Sequence, residues 1–255
     1  MLKRLLPFLL VLTLLSPLAA CTTPAPFGCG ELEGRAGEGT AVTLFILVQP
    51  SATDDTIAEQ VKTDVERFVS SAAERAEALQ VTAYVYGGIE DGVSAGTRIL
   101  APVACLAGER ISLKYNNKDR AEIARESLGK AAGVRVQEAV RNLKLKERAD
   151  TLPLLTKVAN QEGQVLLWSQ FTSQGETCLG VLPGTPPDAA SAKRLVDACD
   201  RQGRIPNLSK VTSVTVKGLG TLTSSWARNM EPFSAAMAKR LCEVAVGEAA
   251  KCTFD

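Results

Sequence analysis

Residues 42–48 read VTLFILV, an apolar run in which Thr43 is the only polar residue. A strand with one wet face alternates apolar and polar residues. A run without alternation is what a central parallel strand looks like when helices cover both of its faces. Working outward, Ser51-Ala52-Thr53-Asp54-Asp55 supplies capping side chains and acids for a helix start. Ile57, Val61, Val65, Phe68 and Val69 then recur at helical spacing, which predicts a helix to about Leu79. Val81 to Tyr86 (VTAYVY) reads as a second strand, ended by Gly87-Gly88. Strand, helix, strand is the seed of a doubly wound sheet.

The same alternation of elements continues downstream. Two short strands are expected at Ile99 to Cys105 and Ile111 to Tyr115, then a helix over Lys118 to Arg148, interrupted or bent near Gly129 and Gly133. Its basic excess fits a solvated helix laced with ion pairs, or one resting on anionic headgroups. Leu152 to Gln161 reads as a short helix with Pro153 in its first turn, where proline is tolerated. Gln164 to Ser169 (QVLLWS) is a further buried strand, Asp188 to Cys199 a helix, and Thr212 to Val216 a strand. A closing helix carries Trp226, Met230, Phe233, Met237, Leu241 and Val244 at steps of three or four, a core-facing stripe. The expected fold is α/β, a doubly wound, Rossmann-like, mostly parallel sheet with helices on both faces. It forms one domain over residues 41–255.

The first twenty residues differ in kind. Lys3 and Arg4 precede an apolar stretch, Leu5 to Leu15, and Leu18-Ala19-Ala20-Cys21 closes it, the order of a secretion signal. The ending resembles the lipobox of bacterial lipoproteins, which implies cleavage after Ala20 and acylation of Cys21. The alternative is an ordinary signal cut at Ala-x-Ala, with Cys21 a plain thiol. Residues 21–40 then read as the lipidated cysteine and a Pro/Gly-rich tether. The expected location is extracytoplasmic, anchored by lipid to a bacterial membrane. That is the outer membrane in a diderm and the outer leaflet of the plasma membrane in a monoderm.

Seven cysteines are awkward for an exported protein until Cys21 is assigned to lipid. Cys29, Cys105, Cys178, Cys199, Cys242 and Cys252 remain, an even number that implies a disulfide framework. Local pairs Cys178–Cys199 and Cys242–Cys252 are the simplest assignment, leaving Cys29 for Cys105. Loss of Lys3 and Arg4 with the signal leaves 27 basic against 28 acidic residues, which argues against a nucleic-acid partner.

The chain has no histidine. That removes Ser-His-Asp and Cys-His catalysis and His-ligated zinc. Ser51 and Ser169 lack an imidazole to activate them, and Ser191-x-Lys193 has the wrong spacing for a Ser-x-x-Lys nucleophile. Gly218-Leu219-Gly220 lacks the third glycine of a dinucleotide fingerprint. No enzyme activity and no cofactor are expected.

In a doubly wound sheet, function collects at the carboxyl ends of the strands, near the switch in strand order. Three loops should meet there: Gln49-Pro50-Ser51-Ala52-Thr53, the segment around Asp150-Thr151, and Ser169-Gln170-Phe171. With these loops the chain resembles the von Willebrand factor type A domains, particularly those of bacterial surface lipoproteins. That family carries a metal-ion-dependent adhesion site on three such loops, with Asp-x-Ser-x-Ser, a threonine opening a helix, and Ser-Asp-Gly. The resemblance extends to Arg194 to Thr221, similar to the family's helix, glycine turn, final strand and Gly-x-Gly. It extends also to Ser224 to Phe233, similar to its last helix. It implies a degenerate site made of Gln49, Ser51, Thr53, Thr151 and Gln170, with both metal-binding aspartates replaced by glutamine. A hard divalent cation is held mainly by carboxylate charge, so no metal is expected. Asp54, Asp55 and Asp150 stand nearby and read more simply as residues complementing helix N-termini. A cluster that only caps helices is the plainer reading of these hydroxyls. The function implied is a metal-independent protein-interaction module of the cell envelope, with its partner at the strand-end loops. The alternative is a solute-binding lipoprotein that uses the same crevice.

Overall fold

The first strand, β1 (Ala41–Gln49), is central, paired in parallel with β2 (Ala78–Val85) on one side and β7 (Gly163–Ser169) on the other. Its side chains divide between two cores: Leu44, Ile46 and Val48 point to one face of the sheet, Phe45 and Leu47 to the other. All five are at most 3 % exposed, which is why the segment shows no alternation. The structure is a computed structural model and describes residues 41–50, 53–74, 78–87, 89–90, 93–94, 98–100, 105–106, 120–143, 151–171, 178–180, 188–219 and 230–254. The signal, Cys21, the tether and Cys29 lie outside these residues. So do Ser51, Asp150, Trp226 and the strand expected at Ile111 to Tyr115.

The remaining strands are β3 (Ile89–Glu90), β4 (Val93–Ser94), β5 (Arg98–Leu100), β6 (Cys105–Leu106), β8 (Val211–Lys217) and β9 (Cys252–Phe254). The main sheet runs β5-β2-β1-β7-β8-β9, with β6 also on β2. The five strands β2, β1, β7, β8 and β9 are mutually parallel, and β5 and β6 add antiparallel edge pieces to β2. A separate hairpin joins β3 to β4.

Helices α1 (Asp55–Ala73) and α2 (Arg120–Arg141) cover one face. Helices α3 (Leu152–Thr156), α4 (Ala189–Arg201) and α5 (Glu231–Val246) cover the other. The architecture is therefore a doubly wound, Rossmann-like α/β fold. Crossovers of one hand force this arrangement. The chain builds leftward from β1 through α1, then rightward through α4 and α5, and reversing direction moves the helices to the opposite face.

Several boundaries differ from those read in the sequence. Helix α1 stops at Ala73, and Leu79 belongs to β2, because its apolar side chain is claimed by the sheet core. Helix α2 is continuous through Gly129 and Gly133. The two glycines let α1 come close: a Cβ at Gly129 would strike Ser70 Oγ and lie 2.9 Å from the Glu66 carbonyl oxygen. A Cβ at Gly133 would strike Glu66 Cγ and lie 3.0 Å from the Lys62 carbonyl oxygen. Of the strand expected at Ile99 to Cys105, the described residues form two pieces, β5 and β6, both antiparallel to β2. The chain also continues past α5 into β9, parallel to β8.

Two of the expected disulfides lie among the described residues. Cys178–Cys199 ties the segment following β7 to α4, with Cα atoms 5.7 Å apart. Cys242–Cys252 ties α5 to β9, with Cα atoms 6.5 Å apart. Cys105 lies in β6.

Candidate functional site: a neutral junction at the switch point

Strand order reverses about β1. The chain goes first to β2 on one side, and its next parallel strand, β7, lies on the other. After β1 the chain goes to α1 on one face and after β7 to α4 on the other, so the ends of β1 and β7 form the topological switch point of the sheet. Gln49 ends β1 and Ser169 ends β7, and the two are direct partners in the parallel register.

Three side chains meet there from segments far apart in sequence. Thr151 Oγ1 donates to Gln49 Oε1 at 2.7 Å. Ser169 Oγ donates to the same oxygen at 3.1 Å. The two hydroxyl oxygens lie 3.3 Å apart. Exposure is 4 % at Gln49 and zero at both Thr151 and Ser169. A hydroxyl has one proton to give, so both protons are spent on Gln49 Oε1, and its two lone pairs are filled. The Thr151–Ser169 approach is then a contact between oxygens sharing an acceptor, not a third bond.

Thr151 stands at the N-cap of α3, where threonine normally caps its own helix. It makes no side-chain cap here. Its hydroxyl crosses to β1 instead, so the plainer reading of this group as helix caps fails at Thr151. Asp54, by contrast, does cap: Oδ1 accepts from the Ile57 amide at 2.9 Å at the start of α1. Asp55 pairs with Arg141 of α2 at 2.9 Å. Both acids nearest the first loop are thus committed to helices. Thr53 is half-buried immediately before the Asp54 cap, and Gln170, next to Ser169, is 2 % exposed.

The turn after β7 adds a feature with no sequence signal. Phe171 is in the left-handed region, with φ 52, although it is an aromatic residue 1 % exposed. Its amide donates to Ser169 Oγ at 3.1 Å, closing a two-residue loop that holds the conformation. Gly218 closes the end of β8 against this region. With φ 90, it has no Cβ to strike Trp168 Cδ2 at 3.1 Å or the Ser169 carbonyl oxygen at 3.2 Å. Only glycine lets this turn sit so close to the end of β7.

The three side chains of the junction do not by themselves make a site for a divalent cation; Ser51 and Asp150 lie outside the described residues. The three are two hydroxyls and an amide, and the amide oxygen is already filled. A hard cation needs carboxylate charge that none of them supplies. Among the described residues no three of His, Cys, Asp and Glu lie together as a possible metal group. A neutral junction also explains why burial is tolerated: every bond joins uncharged groups, whereas buried carboxylates without a cation would repel each other and resist desolvation.

Of the residues read from sequence, Gln49 and Thr151 meet directly, and Gln170 lies buried one residue beyond the junction. Ser169 was read only as part of the third loop, yet its hydroxyl is the second donor. Its place at the end of a buried strand, opposite Gln49 in register, is the signal that points to it. No protein-family model matches the chain, and no curated protein matches it.

Proposed function

We propose that this protein is a lipid-anchored extracytoplasmic module that binds a protein partner through its strand-end loops, without a metal ion. In this reading the domain resembles the von Willebrand factor type A domains, with the adhesion site stripped of its acids. One observation carries it: Gln49, Thr151 and Ser169, on the three loops where that family would hold a cation, are joined by uncharged hydrogen bonds. A second observation supports it. Phe171 adopts a glycine-like left-handed conformation at the position that corresponds to the glycine of Ser-Asp-Gly. The anchor follows from the lipobox-like Leu18-Ala19-Ala20-Cys21.

The test changes the two glutamines. Wild-type protein should give no calorimetric binding signal with Mg²⁺ or Mn²⁺, and its melting temperature should not depend on either. The double change Gln49→Asp with Gln170→Asp should gain divalent-ion binding, and without the ion its paired acids should lower the melting temperature. Metal-dependent stabilisation of the wild type would refute the degenerate-site reading. If neither protein responds, the likeness to the adhesion site is wrong. Mass spectrometry of the mature N-terminus should find diacylglyceryl on Cys21, and an unmodified peptide starting at Cys21 would remove the anchor.

A further inference from the structure

The junction does more than fill a gap between loops, because its bonds run in series. Gln49 Oε1 takes the proton of Ser169 Oγ, and that fixes where the lone pairs of Ser169 point. One of those lone pairs accepts the Phe171 amide. The left-handed turn at Phe171 therefore depends on a serine hydroxyl whose rotation is set by a residue 120 positions earlier in the chain. Thr151 holds the other side of Gln49 and stops the amide from swinging away. Such a turn is unfavourable for a buried aromatic residue and persists only when its surroundings over-determine it.

We infer that Gln49 is the positioning residue of the buried turn at the end of β7: its amide oxygen orients Ser169 and so holds the turn at Phe171, permanently and without an ion. The inference rests on the interaction-surface reading only for its biological meaning. The physical claim concerns bonds internal to the chain. It assigns the glutamine an active part, as an uncharged built-in brace, and not merely the remnant of a lost ligand. A turn braced this way is set without a divalent ion.

Amide hydrogen exchange in the full mature chain reads the turn directly at Phe171. In Gln49→Met, which keeps length and volume but removes the acceptor, exchange at Phe171 should quicken about tenfold, the scale of one lost hydrogen bond. Amides of β1 and β2 should stay within about twofold of wild type, as expected for a local opening. Gln49→Glu, measured in acid where the carboxyl is protonated and neutral, keeps an acceptor at the same reach and should leave exchange at Phe171 as slow as in wild type at the same pH. In wild type, exchange at Phe171 should be the same in chelator and in excess Mg²⁺ or Ca²⁺. Slow exchange in Gln49→Met, fast exchange in Gln49→Glu in acid, or ion-dependent exchange in wild type would each overturn the inference. So would an acceleration spread evenly through the sheet, which marks a general loss of stability. If Gln49→Met does not fold, Gln49→Asn withdraws the acceptor by one methylene and should give the same local opening. Failure here leaves the interaction reading standing. Partner binding unchanged in a variant with an opened turn would instead refute that reading and leave the inference intact.

Discussion

Trp168, wholly buried in β7, has one polar atom, and its Nε1 donates to Asp64 Oδ2 of α1 at 3.0 Å. An indole N–H sealed in a core without an acceptor costs on the order of 1–3 kcal/mol. Asp64→Ala should therefore lower unfolding free energy by that amount in urea titrations. Trp168→Phe removes the donor along with some packing. Added to Trp168→Phe, the Asp64→Ala change should cost much less than it does alone, so the pair should be strongly non-additive. Additive losses would mean that the bond contributes nothing. At this scale the sequence was legible wherever a residue's neighbours in space are implied by its neighbours in the chain. Gln49 was readable as a site residue and Ser169 only as part of its loop; each ends a strand buried on both faces, and such strand ends converge by topology. The left-handed Phe171 was not readable, since an aromatic residue gives no conformational warning and the bond that holds it depends on Ser169 being oriented by β1.

Among the elements, α1 and α2 pack closely through Gly129 and Gly133, where the α2 backbone faces Lys62, Glu66 and Ser70 of α1. Helix propensity alone says that Gly129→Ala should stabilise α2 by about 1 kcal/mol. The packing says otherwise, because the new methyl meets the Glu66 carbonyl oxygen, which cannot rotate away. Overpacking of about 1–3 kcal/mol should win, and the variant should melt below wild type. A higher melting temperature would show that the helices can separate at little cost. The periodicity of α2 was visible in the sequence, but its glycines were open to a second meaning, a bend, until a partner helix was in view. Leu79 misled for a similar reason: it extends the helical spacing of α1 by chance while its side chain serves β2.

Helix α4 carries a pH-sensitive start. The Ser191 amide donates to Asp188 Oδ1 at 2.7 Å, and this bond holds the Asp188 carboxyl below its ordinary value. A lowered carboxyl stabilises the folded state above the pKa it has when unfolded, and the contribution is lost as pH falls through the lowered value. Wild type should therefore lose stability in acid relative to Asp188→Asn, whose cap does not titrate. Unfolding curves compared from neutral pH down to pH about 2 should converge, and parallel curves would mean that the cap contributes no pH dependence.

Across the whole molecule, both observed disulfides lie on the face covered by α4 and α5, and each secures a piece that the sheet holds weakly. Strand β9 is only Cys252–Phe254, too short for any pattern to announce it, and α5 holds it through Cys242. The sequence offered the two cysteines but not the strand between them and the chain end. Replacing both Cys242 and Cys252 by serine should cost about 2–3 kcal/mol, the scale expected when a loop of this size is released. Hydrogen exchange should rise first in β9 and the adjoining edge of β8. In denatured, unreduced protein, Cys178, Cys199, Cys242 and Cys252 should not react with maleimide, and labelling of any of them would contradict the pairing.

The parallel sheet also gives the molecule a head and a foot. Strand β1 begins at Ala41 and reaches the junction only at its far end, about 27 Å on at the usual rise per residue. Strand β9 runs the same way, so Phe254 comes out level with Val216, at the head, two strand spacings or about 10 Å across the sheet from β7. A handle joined directly to Ala41 starts at the foot, whereas a fusion joined directly to Phe254 starts at the head, on the same side as the junction. On the proposed interaction reading, capture by the leading end should retain a partner that a trailing fusion excludes.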